Sequence, residues 1–166
     1  MAPDGSGRLI FWAGWASFFF RLILGGIFIT AGLAKIADPV RYLLTLREFR
    51  LLPGPWEAFL AVYLPWLEFS LGLGTLLGAA YRTSSLLIAG LNGFFILASG
   101  SVMVRGFEID CGCFGLLSDV LPLPDMADWK AVIRNLILIG MGLFIAFGRT
   151  STWTLEHYFQ IRARNQ

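Results

Sequence analysis

The sequence predicts an all-α fold: a four-helix transmembrane bundle with one interfacial amphipathic helix and a cysteine-bearing loop between helices three and four. Three observations predict it. The first is solvent preference. Of 166 residues, 57% are hydrophobic and 14% charged, against about 25% charged in an ordinary soluble domain, and mean hydropathy is +0.70. A chain of this size leaves a large share of its surface outside any core, so much of its apolar surface must face lipid. The second is length: four apolar stretches approach the roughly 20 residues that a helix needs to cross a bilayer core. The third is periodicity: none of the four shows the alternation of a membrane barrel strand.

The first span runs from Ser17 to Ile36. Residues 1–16 read as a tail and interfacial lead-in, with Trp12 and Trp15 at headgroup level. Arg8 before an apolar run also suits a signal peptide. Arg21, and the lack of a clean small-residue cleavage site, argue against one. The membrane domain is 17–148, followed by a basic tail, 149–166.

After the first span, Asp38-Pro39 reads as an N-cap with proline at the first helical position. Leu43, Leu44, Leu46 and Phe49 then interleave with Arg41, Arg47 and Arg50, which predicts the interfacial helix. Pro53-Gly54-Pro55 stops it. The second span runs from Trp56 to Gly78, with Pro65 and Glu68 inside it. A tight turn, 79–83, leads to the third span, Ser84 to Val104, and the fourth runs from Ala131 to Phe147. Glycines recur in all four spans, including a G-x-x-x-G spacing at Gly74 and Gly78, and are read as close helix packing. Asn92, Ser99, Ser101 and Thr30 are read as inter-helix hydrogen-bonding groups.

Four spans put both termini on one side. Basic residues divide six to seven between the two sides, so the positive-inside rule does not decide. The basic C-terminal tail and the acid-free turn at Arg82 favour cytoplasmic termini, with the cysteine loop on the periplasmic side, where dithiols and disulfides interconvert. The formal net charge of +2 is spread thinly, which speaks against nucleic acid or another polyanion as partner. The single histidine, His157, excludes sites that need several imidazoles and leaves no Ser-His-Asp triad in the membrane region.

The two cysteines carry most of the chemical information. Cys111 and Cys113 flank Gly112 in the run Asp110-Cys111-Gly112-Cys113-Phe114-Gly115. Cysteines at i and i+2 come within disulfide reach, their Cα atoms up to about 7 Å apart. The small ring they would close is strained, and a strained disulfide is readily reduced. This points to a redox-active pair. Inert buried cysteines and a soft-metal site for Cu(I) or Zn with outside ligands stand as alternatives.

A second group lies within the spans. Glu68 sits mid-span, where a carboxylate by default marks a functional site or a buried partner. Lys35 ends the first span, and Arg134 and Asn135 open the fourth. All approach the face of the cysteine loop, so a polar cluster beneath it is feasible. For Lys35 and Arg134 the alternative is snorkelling to the headgroups.

These residues together resemble the methylamine-utilisation protein MauE family, within the wider DoxX-like group of membrane proteins. The resemblance is carried by Gly32 to Lys35 with Asp38-Pro39, by Pro53, by Pro65-Trp66-Leu67-Glu68, by Arg105-Gly106, by the Cys111 to Gly115 run, and by Arg134-Asn135 after Trp129. It spans about residues 17–148. It implies a four-helix bacterial inner-membrane protein of periplasmic redox chemistry, linked with thioredoxin-like partners. For the namesake it implies maturation of a disulfide-rich client, the small subunit of methylamine dehydrogenase. It brings no defined catalytic mechanism.

Three functions compete. The first is thiol–disulfide exchange through Cys111 and Cys113 with a periplasmic thioredoxin-like protein or disulfide-rich client. A quinone would be the second electron carrier, bound or protonated by Lys35, Glu68, Arg134 and Asn135. The second is a non-catalytic assembly or docking factor. The third is a soft-metal-handling or transport protein, with Met103 and Met126 as further ligands.

Overall fold

The computed structural model describes residues 5–50, 53–78, 80–105 and 129–148. Cys111 and Cys113 with most of their loop, Met126, and the tail with His157 lie outside them. The described residues form α1 (Gly5–Ala37), α2 (Pro39–Phe49), α3 (Gly54–Leu77), α4 (Tyr81–Val104) and α5 (Trp129–Phe147). Among the described residues, four stretches are long and apolar enough to cross a bilayer: Trp12–Ala37, Gly54–Leu77, Tyr81–Val104 and Trp129–Phe147.

Three boundaries differ from expectation. Helix α1 starts at Gly5 and runs unbroken through the segment read as a separate lead-in, since no proline interrupts it. Helix α3 starts at Gly54, with Pro55 in its first turn, where the missing N–H costs nothing. The turn before α4 is shorter than predicted. Gly78 caps α3 at φ 71°, Ala80 stands at φ 52°, and Tyr81 is already helical.

Helix α2 forms as its cap predicts. Proline occupies its first turn, and the Asp38 carboxylate accepts the Arg41 N–H at 3.0 Å. Its inward stripe is not the leucine set of the sequence reading. Tyr42 and Phe49 are buried, Leu43 and Leu46 pack at the edge of that cluster, and Leu44 is exposed. Positions 42, 46 and 49 fall at the four-then-three spacing of one helical face.

The spanning helices close in the order α1, α3, α4, α5 and back to α1. Neighbours run antiparallel: Gly25 lies against Gly72 and Leu76, while Gly32 lies against Pro65 and Phe69. Without a hydrophobic drive between helices in lipid, close backbone approach supplies the packing. A Cβ on Gly72 would sit 2.8 Å from Ile29 N and 2.9 Å from Gly25 O. Gly142 meets the Ser85 carbonyl in the same way, whereas Gly26, Gly90, Gly93 and Gly140 face open space. The expected G-x-x-x-G contact therefore falls on Gly25, Gly32 and Gly72, and Gly78 serves as a cap. Leu24, Phe28, Leu71, Tyr81, Ile88, Leu138 and Ile145 fill the centre. Trp66, Leu97 and Phe147 are among the large apolar side chains left on the outer surface.

Candidate functional site

Helix α1 ends, α3 begins, α4 ends and α5 begins at the same end of the bundle. All four of these helices and α2 build one polar centre. Lys35, in the last turn of α1, reaches across to Glu68 of α3. Its Nζ lies 2.7 Å from both carboxylate oxygens. Lys35 is 3% exposed and Glu68 1%. Snorkelling is thereby overturned for Lys35: its ammonium turns inward to a buried carboxylate instead of reaching the headgroups. Two rings cover the same ammonium. Its Nζ is 5.1 Å from the Tyr42 ring centroid and 5.4 Å from that of Phe95, within cation–π reach. Tyr42 comes from α2 and Phe95 from α4, so the pair ties four helices together only when α2 is docked.

Behind Glu68 lies a cavity of ≈ 20 Å³ lined by Ile27, Phe28, Ala31, Glu68, Asn92, Phe95, Arg134, Asn135 and Leu138. The four predicted polar residues thus share one site: Lys35 bonded to Glu68, and Glu68, Arg134 and Asn135 around the cavity. Arg134 is half-buried, and Asn135 is 2% exposed. The Asn135 side-chain amide N has no hydrogen-bond partner among the described residues. A buried amide without a partner is costly, and a space of this size suits about one water.

Asn92 is the member that the sequence reading misassigned. It lines the cavity, but its amide N donates to Ile88 O of its own helix at 2.8 Å rather than across helices. Thr30 likewise bonds back to Gly26 O and Ile27 O. Short polar side chains reach the preceding turn of their own helix readily. A polar residue in mid-span was the available signal for Asn92; its rotation toward Glu68 was not.

A second, larger space lies between α2, α3 and α4, lined by Tyr42, Phe49, Leu64, Phe94, Phe95 and others, with Glu57 as its carboxylate. Glu57 is 9% exposed, and Arg47 Nε lies 3.6 Å from it. Arg105 Nη1 donates to Phe49 O at 3.3 Å, which fixes the end of α2 against the end of α4.

Comparison with known proteins now decides the family. The family profile described as methylamine utilisation protein MauE matches residues 13–148. The chain belongs to the MauE family. Among its relatives, the methylamine utilization protein MauE of Paracoccus denitrificans is 31% identical over 131 residues, 77% of this chain and 67% of that protein. That of Paracoccus versutus is 33% identical over 138 residues, 81% of this chain and 67% of that protein. The Methylophilus methylotrophus protein is 30% identical over 132 residues, 79% of this chain and 65% of that protein. The matched region is thus about two thirds of each MauE relative. No solved structure matches the chain at a comparable level. The profile covers the whole polar centre, from Lys35 to Asn135, together with the stretch that holds Cys111 and Cys113.

Proposed function

We propose that this MauE-family chain is a membrane component of methylamine utilisation that carries out thiol–disulfide exchange through Cys111 and Cys113. In this reading the bundle lies in a bacterial inner membrane, α2 rests at the interface, the cysteine loop faces the periplasm, and the family stands within the DoxX-like group. The partner is a periplasmic thioredoxin-like protein or a disulfide-rich client.

The observation that carries the reading is the polar centre itself. The loop with the cysteine pair joins α4 to α5, and these helices meet it at the end where Lys35, Glu68, Arg134 and Asn135 gather. Buried ionisable groups in a membrane bundle are costly and by default functional. Here Arg134 and Asn135 stand on α5, which anchors one end of the loop, and Lys35 and Glu68 on other helices of the same bundle.

The exchange balances without a further group. One cysteine thiolate attacks a sulfur of the partner's disulfide, forming a mixed disulfide and releasing one partner thiol. The second cysteine then displaces the other partner sulfur. The chain gains the disulfide and the partner the dithiol, with two electrons and two protons moved. The reverse reaction runs through the same mixed disulfide. In this reading Lys35 and Glu68 hold the helix ends, and Asn135 with a water in the cavity offers a proton path. The exchange needs no quinone for its own balance, and a quinone enters this reading only as a second electron carrier for the cysteine pair.

The test is to change each cysteine separately to serine in membranes that contain the thioredoxin-like partner. Exchange predicts loss of activity with both variants and a trapped mixed disulfide with one. Full activity of either variant would favour a docking role. Stoichiometric Cu or Zn in the purified protein would favour metal handling.

A further inference from the structure

The opposite end of the bundle holds a second buried cation, which the redox reading does not use. Arg21 of α1 is 4% exposed. Its Nε donates to the Thr75 carbonyl of α3 at 3.2 Å, and its Cζ lies 5.2 Å from the Tyr81 ring centroid of α4. Arg82 approaches the same ring: its Nε lies 3.2 Å from the Tyr81 hydroxyl and its Cζ 5.8 Å from the centroid. Arg82 itself is exposed. Among the described residues no carboxylate lies within ion-pair distance of either arginine.

We infer that Arg21, Arg82 and Tyr81 form a binding site for the phosphate of an anionic phospholipid at the end of the bundle where α3 ends and α4 begins. Two guanidinium groups gathered on one tyrosine present two positive charges. Each has N–H donors beyond the one spent on Thr75 or Tyr81, in the planar geometry that matches phosphate oxygens. The buried Arg21 guanidinium has no carboxylate among the described residues; an unpaired buried charge is costly, and a phosphate relieves it. The level within the fold agrees. Thr75 lies near the end of α3 and Tyr81 opens α4, on either side of the short turn at Gly78 and Ala80. That turn marks the edge of two spans, where headgroups lie. Basic pockets between transmembrane helices recognise anionic headgroups by this chemistry. Inorganic phosphate would satisfy the same donors, so the two sources must be separated by experiment.

The full chain is purified in mild detergent and offered phosphatidylglycerol or phosphatidylcholine, and retained lipid is counted by native mass spectrometry. The inference predicts a preference for phosphatidylglycerol that falls about fivefold for each arginine removed, as in Arg82→Gln and Arg21→Gln. Arg82 is exposed, so its variant keeps the fold even if the Arg21 variant does not. Arg82→Lys retains part of the preference. Millimolar inorganic phosphate should leave the bound lipid in place. Equal retention of both lipids, an unchanged preference in Arg82→Gln, or displacement by inorganic phosphate would overturn the lipid assignment.

Discussion

Helix α1 buries a cation at each end of the bundle, and the two are held in opposite ways. Lys35 meets a carboxylate and two rings; Arg21 meets a carbonyl and one ring. The two residues are fourteen positions apart on nearly the same helix face, about 21 Å at 1.5 Å per residue. The face between them carries Gly25, Phe28 and Gly32, the seam against α3 and the core. The difference is one of closure. The Lys35–Glu68 pair is electrically neutral and complete, so it locks helices together. The Arg21 end keeps its charge and its spare donors, so it remains a place for something to bind.

The largest expected effect separates the two ends. Glu68→Gln leaves a buried ammonium without its carboxylate and should destabilise the bundle by about 3–5 kcal/mol. The double change Lys35→Met with Glu68→Leu removes both charges and should recover most of that loss, since a buried pair is often replaceable by apolar residues. Arg21→Gln should cost less, about 1–3 kcal/mol, because what it leaves behind is a main-chain carbonyl and a ring. Unfolding in detergent micelles followed by circular dichroism checks all three. If Arg21→Gln proves as damaging as Glu68→Gln, the contrast between a closed and an open end is wrong.

The next effect concerns the seam that joins the ends. Gly72→Ala places a methyl against backbone atoms that cannot give way, and should cost about 1–3 kcal/mol. Gly26→Ala, one residue from the contact and facing open space, should be neutral or stabilising by up to about 1 kcal/mol. The same unfolding assay applies; equal effects at both positions would mean that the seam is not the tight contact.

A smaller effect sharpens the closed end. Asp38→Ala removes the cap of α2 and should cost about 1 kcal/mol. It should also loosen Tyr42 from the Lys35 ammonium, seen as faster amide hydrogen exchange over Pro39–Phe49. At the open end, Tyr81→Phe deletes only the hydroxyl that Arg82 reaches and should cost about 0.5–1.5 kcal/mol, read in the same unfolding assay.

The spans were legible in the sequence because hydropathy over twenty residues depends little on tertiary detail. Glu68 and Lys35 were legible for a related reason: a charge inside a span is conspicuous. Arg21 was conspicuous too, yet was counted among the charges at the membrane edge. A sequence shows that an arginine lies near a helix end, but not that α3 and α4 cover it through Thr75 and Tyr81. Tyr42, Phe95 and Asn92 joined the site only through the rotation of α2 and α4 and the docking of α2, which no local pattern encodes. The facing of α1 and α3 selected Gly25, Gly32 and Gly72 over the better-spaced Gly74 and Gly78. Cys111 and Cys113 rest on sequence alone, since they lie outside the described residues.

For that reason the decisive measurement is on the cysteines. Membranes containing the protein would be equilibrated across a series of redox buffers, and free thiols of Cys111 and Cys113 trapped with permeant and impermeant maleimide mass tags. The account predicts a reversible two-electron transition between dithiol and disulfide, reached by the impermeant reagent from the face opposite the termini. Cysteines that remain reduced at every potential, or that react only from the side of the termini, would contradict it.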